Sequence, residues 1–232
     1  MTLGRRMILA AALACLSTAM RGAHAAADDT QQVLHQLDEA AAKFQSAQAD
    51  FQFDAVETDP IPITDTQKGT VYYERKGNQF EMAAHIEEMN GKPVPKIYSF
   101  TEGKLRLFEP MIDQVTTITK ASNYGSYIML GFGASGKALA EKWDVKALGA
   151  ETVDGVRTQK LELTAKDPTV RKNLPKVTIW VDTTRGVSLK QVFDQGSGQH
   201  RDCHYFNFKM NQPLPADAFT LKTDAKTTYI NQ

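Results

Sequence analysis

The apolar residues of this chain change period once, near its start, and hold the new period for most of its length. Val33, Leu37, Ala40 and Phe44 recur at helical spacing, so Asp28 to Ala49 reads as one amphipathic helix with a single apolar stripe. From Phe51 the period is two: Phe51, Phe53 and Ala55 alternate with Gln52, Asp54 and Val56, which is a strand with one apolar face. Similar stretches follow near residues 69–75, 79–87, 95–100, 105–109 and 114–118, most of them separated by turn residues such as Lys76-Gly77-Asn78 and Glu102-Gly103. The alternation resumes near 144–149, 157–164, 176–182, 188–194 and 199–209. A sheet this long curls, and the few helices can cover only one side of it. The expectation is a mainly β (α+β) chain: a single curved antiparallel sheet of about eleven strands forming an incomplete barrel, covered by a few helices.

Between the two runs of strands the pattern breaks. Tyr124, Tyr127, Ile128 and Leu130 have helical spacing, Gly131-Phe132-Gly133 follows, and Ser135 can cap a short helix through Lys142.

Composition narrows the function. Hydrophobic residues at 42% and charged residues at 23% are ordinary globular values, which exclude a disordered or collagenous chain. Equal counts of 27 basic and 27 acidic side chains provide no electrostatic footprint for nucleic acid. Residues 1–25 read as a signal peptide: Arg5 and Arg6 form a positive start, Met7 to Met20 an apolar stretch too short to span a bilayer, and Ala23-His24-Ala25 a cleavage site. Arg5-Arg6 before Met7-Ile8 also fits a degenerate twin-arginine signal. Residues 26–232 then form one exported domain, expected in the periplasm. Cys15 lies in the apolar stretch behind Ala12-Leu13-Ala14, a poor match to the pattern of a lipid-modified cysteine. That leaves Cys203 alone after cleavage, so no disulfide framework is expected and the core must hold the fold.

Three motifs suggest chemistry, and each has a plainer explanation. Gly131 to Lys137 matches the spacing of a phosphate-binding loop, but Ala138 follows where a hydroxyl is needed for magnesium, and helical rather than strand spacing precedes it. A glycine stop followed by a helix cap explains it. His200 and His204 share one face of a strand while Cys203 points to the other, and no second cluster completes a metal site. No G-x-S-x-G elbow is present, Gly196-Ser197-Gly198 reads as a hairpin turn, and the adjacent pairs Asp28-Asp29 and Glu87-Glu88 diverge. The sequence therefore predicts no enzyme, no cofactor and no metal.

In Gly69 to Arg75, Val71, Tyr73 and Arg75 share one strand face. If that face is apolar, Arg75 is carried there too, and its five donors need carbonyls such as a helix C-terminus offers. The alternative is an arginine at a strand end that turns out to solvent.

Gly69 to Met82, with Arg75, Asn78 and Phe80 at matching intervals, resembles the strand-turn-strand segment of the LolA family of periplasmic lipoprotein carriers. The similarity continues through Thr101-Glu102-Gly103-Lys104-Leu105-Arg106-Leu107-Phe108-Glu109-Pro110 and Gln114-Val115-Thr116, and includes Leu37 to Phe53 and Leu214-Pro215-Ala216-Asp217-Ala218-Phe219. The resemblance implies an eleven-stranded incomplete barrel lidded by helices, whose cavity accepts the acyl chains of lipoproteins. It implies that Arg75 latches the lid and that Phe80 keeps cargo transfer in one direction. It also implies an inner-membrane release complex and an outer-membrane receptor as partners of a monomeric carrier. The family's usual proline after the arginine is replaced here by Lys76-Gly77, one residue longer, and Leu130 to Lys137 has no counterpart in the enterobacterial carriers.

A soluble carrier fits the physics, since each acyl methylene kept from water contributes ~0.8 kcal/mol and a diacyl or triacyl anchor cannot cross water unaided. Phe51, Phe53, Val71, Tyr73, Phe80, Met82, Leu105, Leu107, Leu161, Leu163, Ile179 and Val181 are expected to line the concave face, opposite Val33, Leu37, Phe44, Ile128 and Leu130 from the lid. The rival readings are a LolB-like receptor, which should carry an N-terminal lipid, an RseB-like sensor, which needs a second domain, and a structural assembly protein using the sheet edge.

Overall fold

The computed structural model describes the backbone of residues 14–77, 79–118 and 130–232, with side chains from residue 29 onward within those spans. Asn78 and the helical spacing through Tyr124, Tyr127 and Ile128 lie outside the described residues. Helix α1 (Ala14–Lys43) leads into strands β1 (Ser46–Glu57), β2 (Ile63–Lys76), β3 (Gln79–Met89), β4 (Lys92–Thr101), β5 (Lys104–Glu109) and β6 (Gln114–Ile118). Helix α2 (Gly136–Lys142) then precedes β7 (Trp143–Val153) and β8 (Val156–Ala165). After α3 (Pro168–Asn173) come β9 (Lys176–Asp182), β10 (Val187–Gly196), β11 (Gln199–Met210) and β12 (Thr228–Asn231).

The strands form one open sheet in the order β12-β6-β5-β4-β3-β2-β1-β11-β10-β9-β8-β7. Each half is a run of antiparallel hairpins, and the halves join where β1 pairs with β11. Two details differ from the sequence expectation. A twelfth strand, β12, adds in parallel to the edge of β6, and four residues are too few to show a period. The helix ends at Lys43 instead of Ala49, because Ser46 to Ala49 pair with Val71 to Glu74 and bury Ala47 and Ala49 on the same face as Phe51. Alanine and glutamine favour a helix there, but the ladder and the buried face outweigh that preference.

Two apolar clusters occupy the concave face. α1 lies over the C-terminal half, where Val33, Leu34 and Leu37 pack with Leu139 and Trp143 onto Leu161, Leu163, Val177, Ile179 and Val181. This cluster is tightly filled, and Ile179 and Val181 border a void of about 10 Å³. The second cluster spans β1 to β4 with β10 and β11 and includes Phe44 and Phe132. Here the helix gives less cover. Ser135 caps α2 as its sequence suggests, accepting a hydrogen bond from the amide of Ala138 at 3.1 Å.

Candidate ligand-binding groove

The concave face holds two chambers, centred on the cluster that spans β1 to β4 with β10 and β11. The smaller, about 360 Å³, is lined by Phe51, Phe53, Val71, Tyr73, Met82 and Leu105 among others, with Gln67, Gln191 and Arg201 as polar lining residues. Leu105 on β5 and Phe193 on β10 both line it although they stand six strands apart in order, roughly 29 Å along a flat sheet. The sheet must curl for one chamber to touch both. The larger chamber, about 510 Å³, lies between α1, α2 and the ends of β2 to β4, and includes Arg75, Phe80, Phe100 and Trp143. Both volumes fall within the ~300–1,000 Å³ range of small-molecule sites.

Arg75 stands at the end of β2, half-buried, beneath the last turn of α1. Its Nε donates to the carbonyl of Phe44 at 3.0 Å and its Nη2 to the carbonyl of Ala41 at 2.8 Å. Those carbonyls belong to the end of the helix, where intrahelical partners run out and the helix dipole favours a cation. The guanidinium carbon lies 4.3 Å from the centre of the Phe80 ring, the residue paired with Arg75 across β2 and β3. The Phe80 ring in turn is 6.0 Å from that of Phe44. Asn211, which the sequence did not suggest, supports the same helix end: its Oδ1 accepts from the amides of Gln45 and Ser46 and its Nδ2 donates to the Lys43 carbonyl. A lone asparagine after a strand carries no periodic signal that could have marked it.

The remaining sequence candidates divide between the two halves. Leu161, Leu163, Ile179 and Val181 are sealed in the tightly filled cluster under α1 and line neither chamber of the groove, which corrects the expected lining: Val33, Leu34 and Leu37 fill the space above them. Leu107, paired with Tyr98, is half-buried but outside the lining of the chambers. Leu130 joins both the tightly filled cluster and the larger chamber. Ala84, Ile86, Tyr98, Gln191, Phe193, Cys203 and Tyr205 line the smaller chamber without having been singled out for it, yet extending the parity of Met82, and of the neighbouring strands, reaches each of them. The Gly131 to Lys137 segment threads between α1 and the sheet, so its glycines serve close packing. His204 bonds Asp154, His200 lies 3.8 Å from Asp202, and Cys203 is buried on the opposite face. Among the described residues, no group of three or more His, Cys, Asp or Glu converges, and no helix is long and apolar enough to cross a membrane.

Burial pushes the Cys203 thiol up to about 12 and raises the phenols of Tyr73 and Tyr205. Each group is held neutral by the fold, so its stabilising effect is full below its unfolded pKa and is lost as pH rises above it. Denaturation midpoints should therefore hold up to about pH 9 and fall steadily from pH 9 to 12. A Cys203→Ala chain should lose less between pH 9 and 10, and an identical profile would show that the thiol does not contribute.

An open, mainly β sheet, curled around an apolar groove and clasped by a helix, defines a fold class with one concave binding face. No protein-family model and no curated protein matches the chain. Among solved structures, an uncharacterized conserved protein from Thermus thermophilus superimposes with a TM-score of 0.57 at 11% identity, over 88% of this chain and 99% of its own. MucB matches at 0.54 and 14% identity over 88% of this chain, which spans 66% of MucB's length. A LolA superfamily protein from Nitrosomonas europaea matches at 0.42 and 19% identity, over 83% of this chain and 97% of that one. The fold shared with the Thermus protein and MucB is one open sheet, antiparallel except at β12, with its helices on the concave side.

Proposed function

We propose that this protein is an envelope carrier that holds the acyl chains of lipoproteins or other lipids in the concave groove. The reading includes export by a cleaved signal peptide and shuttling from the inner toward the outer membrane, between a release complex and a receptor. The observation that carries it is the groove itself. Its wall is aromatic and aliphatic, its polar lining groups are few, and the helix beside it is tied down by one arginine at the sheet's end. In the clasped form neither chamber holds a whole diacyl or triacyl anchor, so loading requires α1 to move. Cleavage after Ala25 leaves residues 26–43 as the part of α1 that moves.

A second reading is an RseB-like lipid-sensing module, which the similarity to MucB favours. Both readings require a lipid in the groove. Native mass spectrometry of the exported chain should detect an acyl lipid, and Val71→Asp, which places a charge in the smaller chamber, should abolish it. A lipid-free exported chain that also fails to take up fatty acid would overturn both.

A further inference from the structure

The two chambers share no lining residue, although the strands beneath them run through both. On β2, Val71 and Tyr73 line the smaller chamber and Arg75 the larger. On β3, Met82 belongs to the smaller and Phe80 to the larger, and on β4 Tyr98 and Phe100 divide in the same way. Neighbours on one face of a strand stand only about 7 Å apart, so the sheet supplies a continuous groove.

What interrupts it comes from above. Phe132, fully buried, stacks on Tyr73 with ring centres 4.0 Å apart and meets Tyr205 edge-on at 4.8 Å. Its backbone is fixed to the other half of the sheet, where it bridges Val187, the Ser188 amide donates to the Gly131 carbonyl at 2.7 Å, and the Gly133 amide donates to the Gly186 carbonyl at 3.0 Å. The flanking glycines make this insertion possible. Both have positive φ, and a Cβ would fall 2.2 Å from the Ser188 hydroxyl at Gly131 and 2.6 Å from the Phe44 ring at Gly133. The loop is thus shaped to press one aromatic ring between the strands of the two halves, behind Tyr73, which lines the smaller chamber, and next to Gly133, which lines the larger.

We propose that Phe132 is a specificity-determining residue, a partition that sets how long an acyl chain the groove accepts. The proposal rests on the lipid-binding reading. A chain in the smaller chamber ends against the Tyr73 and Phe132 stack. A longer one gains nothing from its last methylenes unless the ring is withdrawn, and Phe132 moves with the segment that leads directly into α2.

The test uses the full chain with Phe132→Ala and Phe132→Leu, folding checked by circular dichroism, and titrates laurate and stearate against fluorescent parinaric acid. Merging the chambers should bury roughly two more methylenes of the longer chain, so Phe132→Ala should bind stearate about tenfold more tightly. Laurate affinity should change less than threefold, and Phe132→Leu should shift stearate in the same direction by a smaller factor. Equal changes for both acids, or weaker binding of both by a folded variant, would overturn the partition and leave Phe132 a packing residue. If the alanine variant does not fold, the leucine variant decides by the same comparison. Wild-type protein that binds neither acid nor parinaric acid would overturn the lipid-binding reading itself, and the partition with it.

Discussion

Replacing Arg75 by leucine should leave loading of an acylated cargo intact and slow its release about tenfold or more. The reason is the geometry at the end of α1. Two charge-assisted hydrogen bonds, from Nε to Phe44 and from Nη2 to Ala41, hold the helix over the groove. Bonds of this kind stabilise by ~1.5–3 kcal/mol. Cargo that lifts α1 must break them, so the loaded form lies higher in energy by that amount and is ready to give its cargo up. Leucine keeps bulk and apolarity but has no donor, which shifts the balance toward the loaded form by a factor of roughly 10 to 150. Lysine should restore release only in part, because an ammonium cannot reproduce the planar fork that reaches two carbonyls at once. Asn211 still ties the helix end in both variants, so both should fold, with the leucine variant's melting temperature lowered by about 3 °C or more through the lost hydrogen bonds. The measurement is transfer of a fluorescent diacyl lipopeptide from loaded protein to acceptor vesicles. If the leucine variant loads normally and releases at the parent rate, Arg75 only secures a helix end.

The largest effect on stability should come from a single methyl group at Gly136. A Cβ there would lie 2.0 Å from the carbonyl oxygen of Leu34 and 2.5 Å from its carbonyl carbon. No side chain can rotate to relieve a clash with backbone, so α1 and α2 must separate along their contact. Overpacking a well-filled site costs about 1–3 kcal/mol and occasionally more, and this position belongs at the upper end. A loss of about 3 kcal/mol corresponds to roughly 6–12 °C in a chain of this size. Gly77→Ala is the control. Gly77, unlike Gly136, has positive φ, but nothing lies within 4 Å of its Cβ, so only the backbone conformation is strained, at about 1 kcal/mol. Urea denaturation of both variants measures the difference, and equal costs would mean that the two helices are not tightly docked. Because α2 borders the larger chamber, Gly136→Ala should also bind fatty acid more tightly despite being less stable.

Much of this was readable from residue order because period and parity are local properties. The step from helical spacing at Val33 to Phe44 to alternation at Phe51 sets helix before strand, and nearly every strand follows from side chains that must alternate between two faces. Parity also placed Val71, Tyr73 and Arg75 on one face, and the structure brings Arg75 and Phe80 together under Phe44.

Parity could not say which half of the concave face stays open. Leu161 and Val71 carry the same signal, yet one lies under α1 and the other lines a chamber, because one helix is too narrow to cover a sheet of twelve strands. The sequence by itself determined the order of elements, the apolar face of each strand and the arginine carried onto it. Only the tertiary structure decided where α1 lies, that Asn211 shares in holding its end, and that Phe132 stacks on Tyr73 between the two halves. Each of those depends on contacts between residues far apart in the chain, whose cost in chain entropy is met only when the whole sheet has formed.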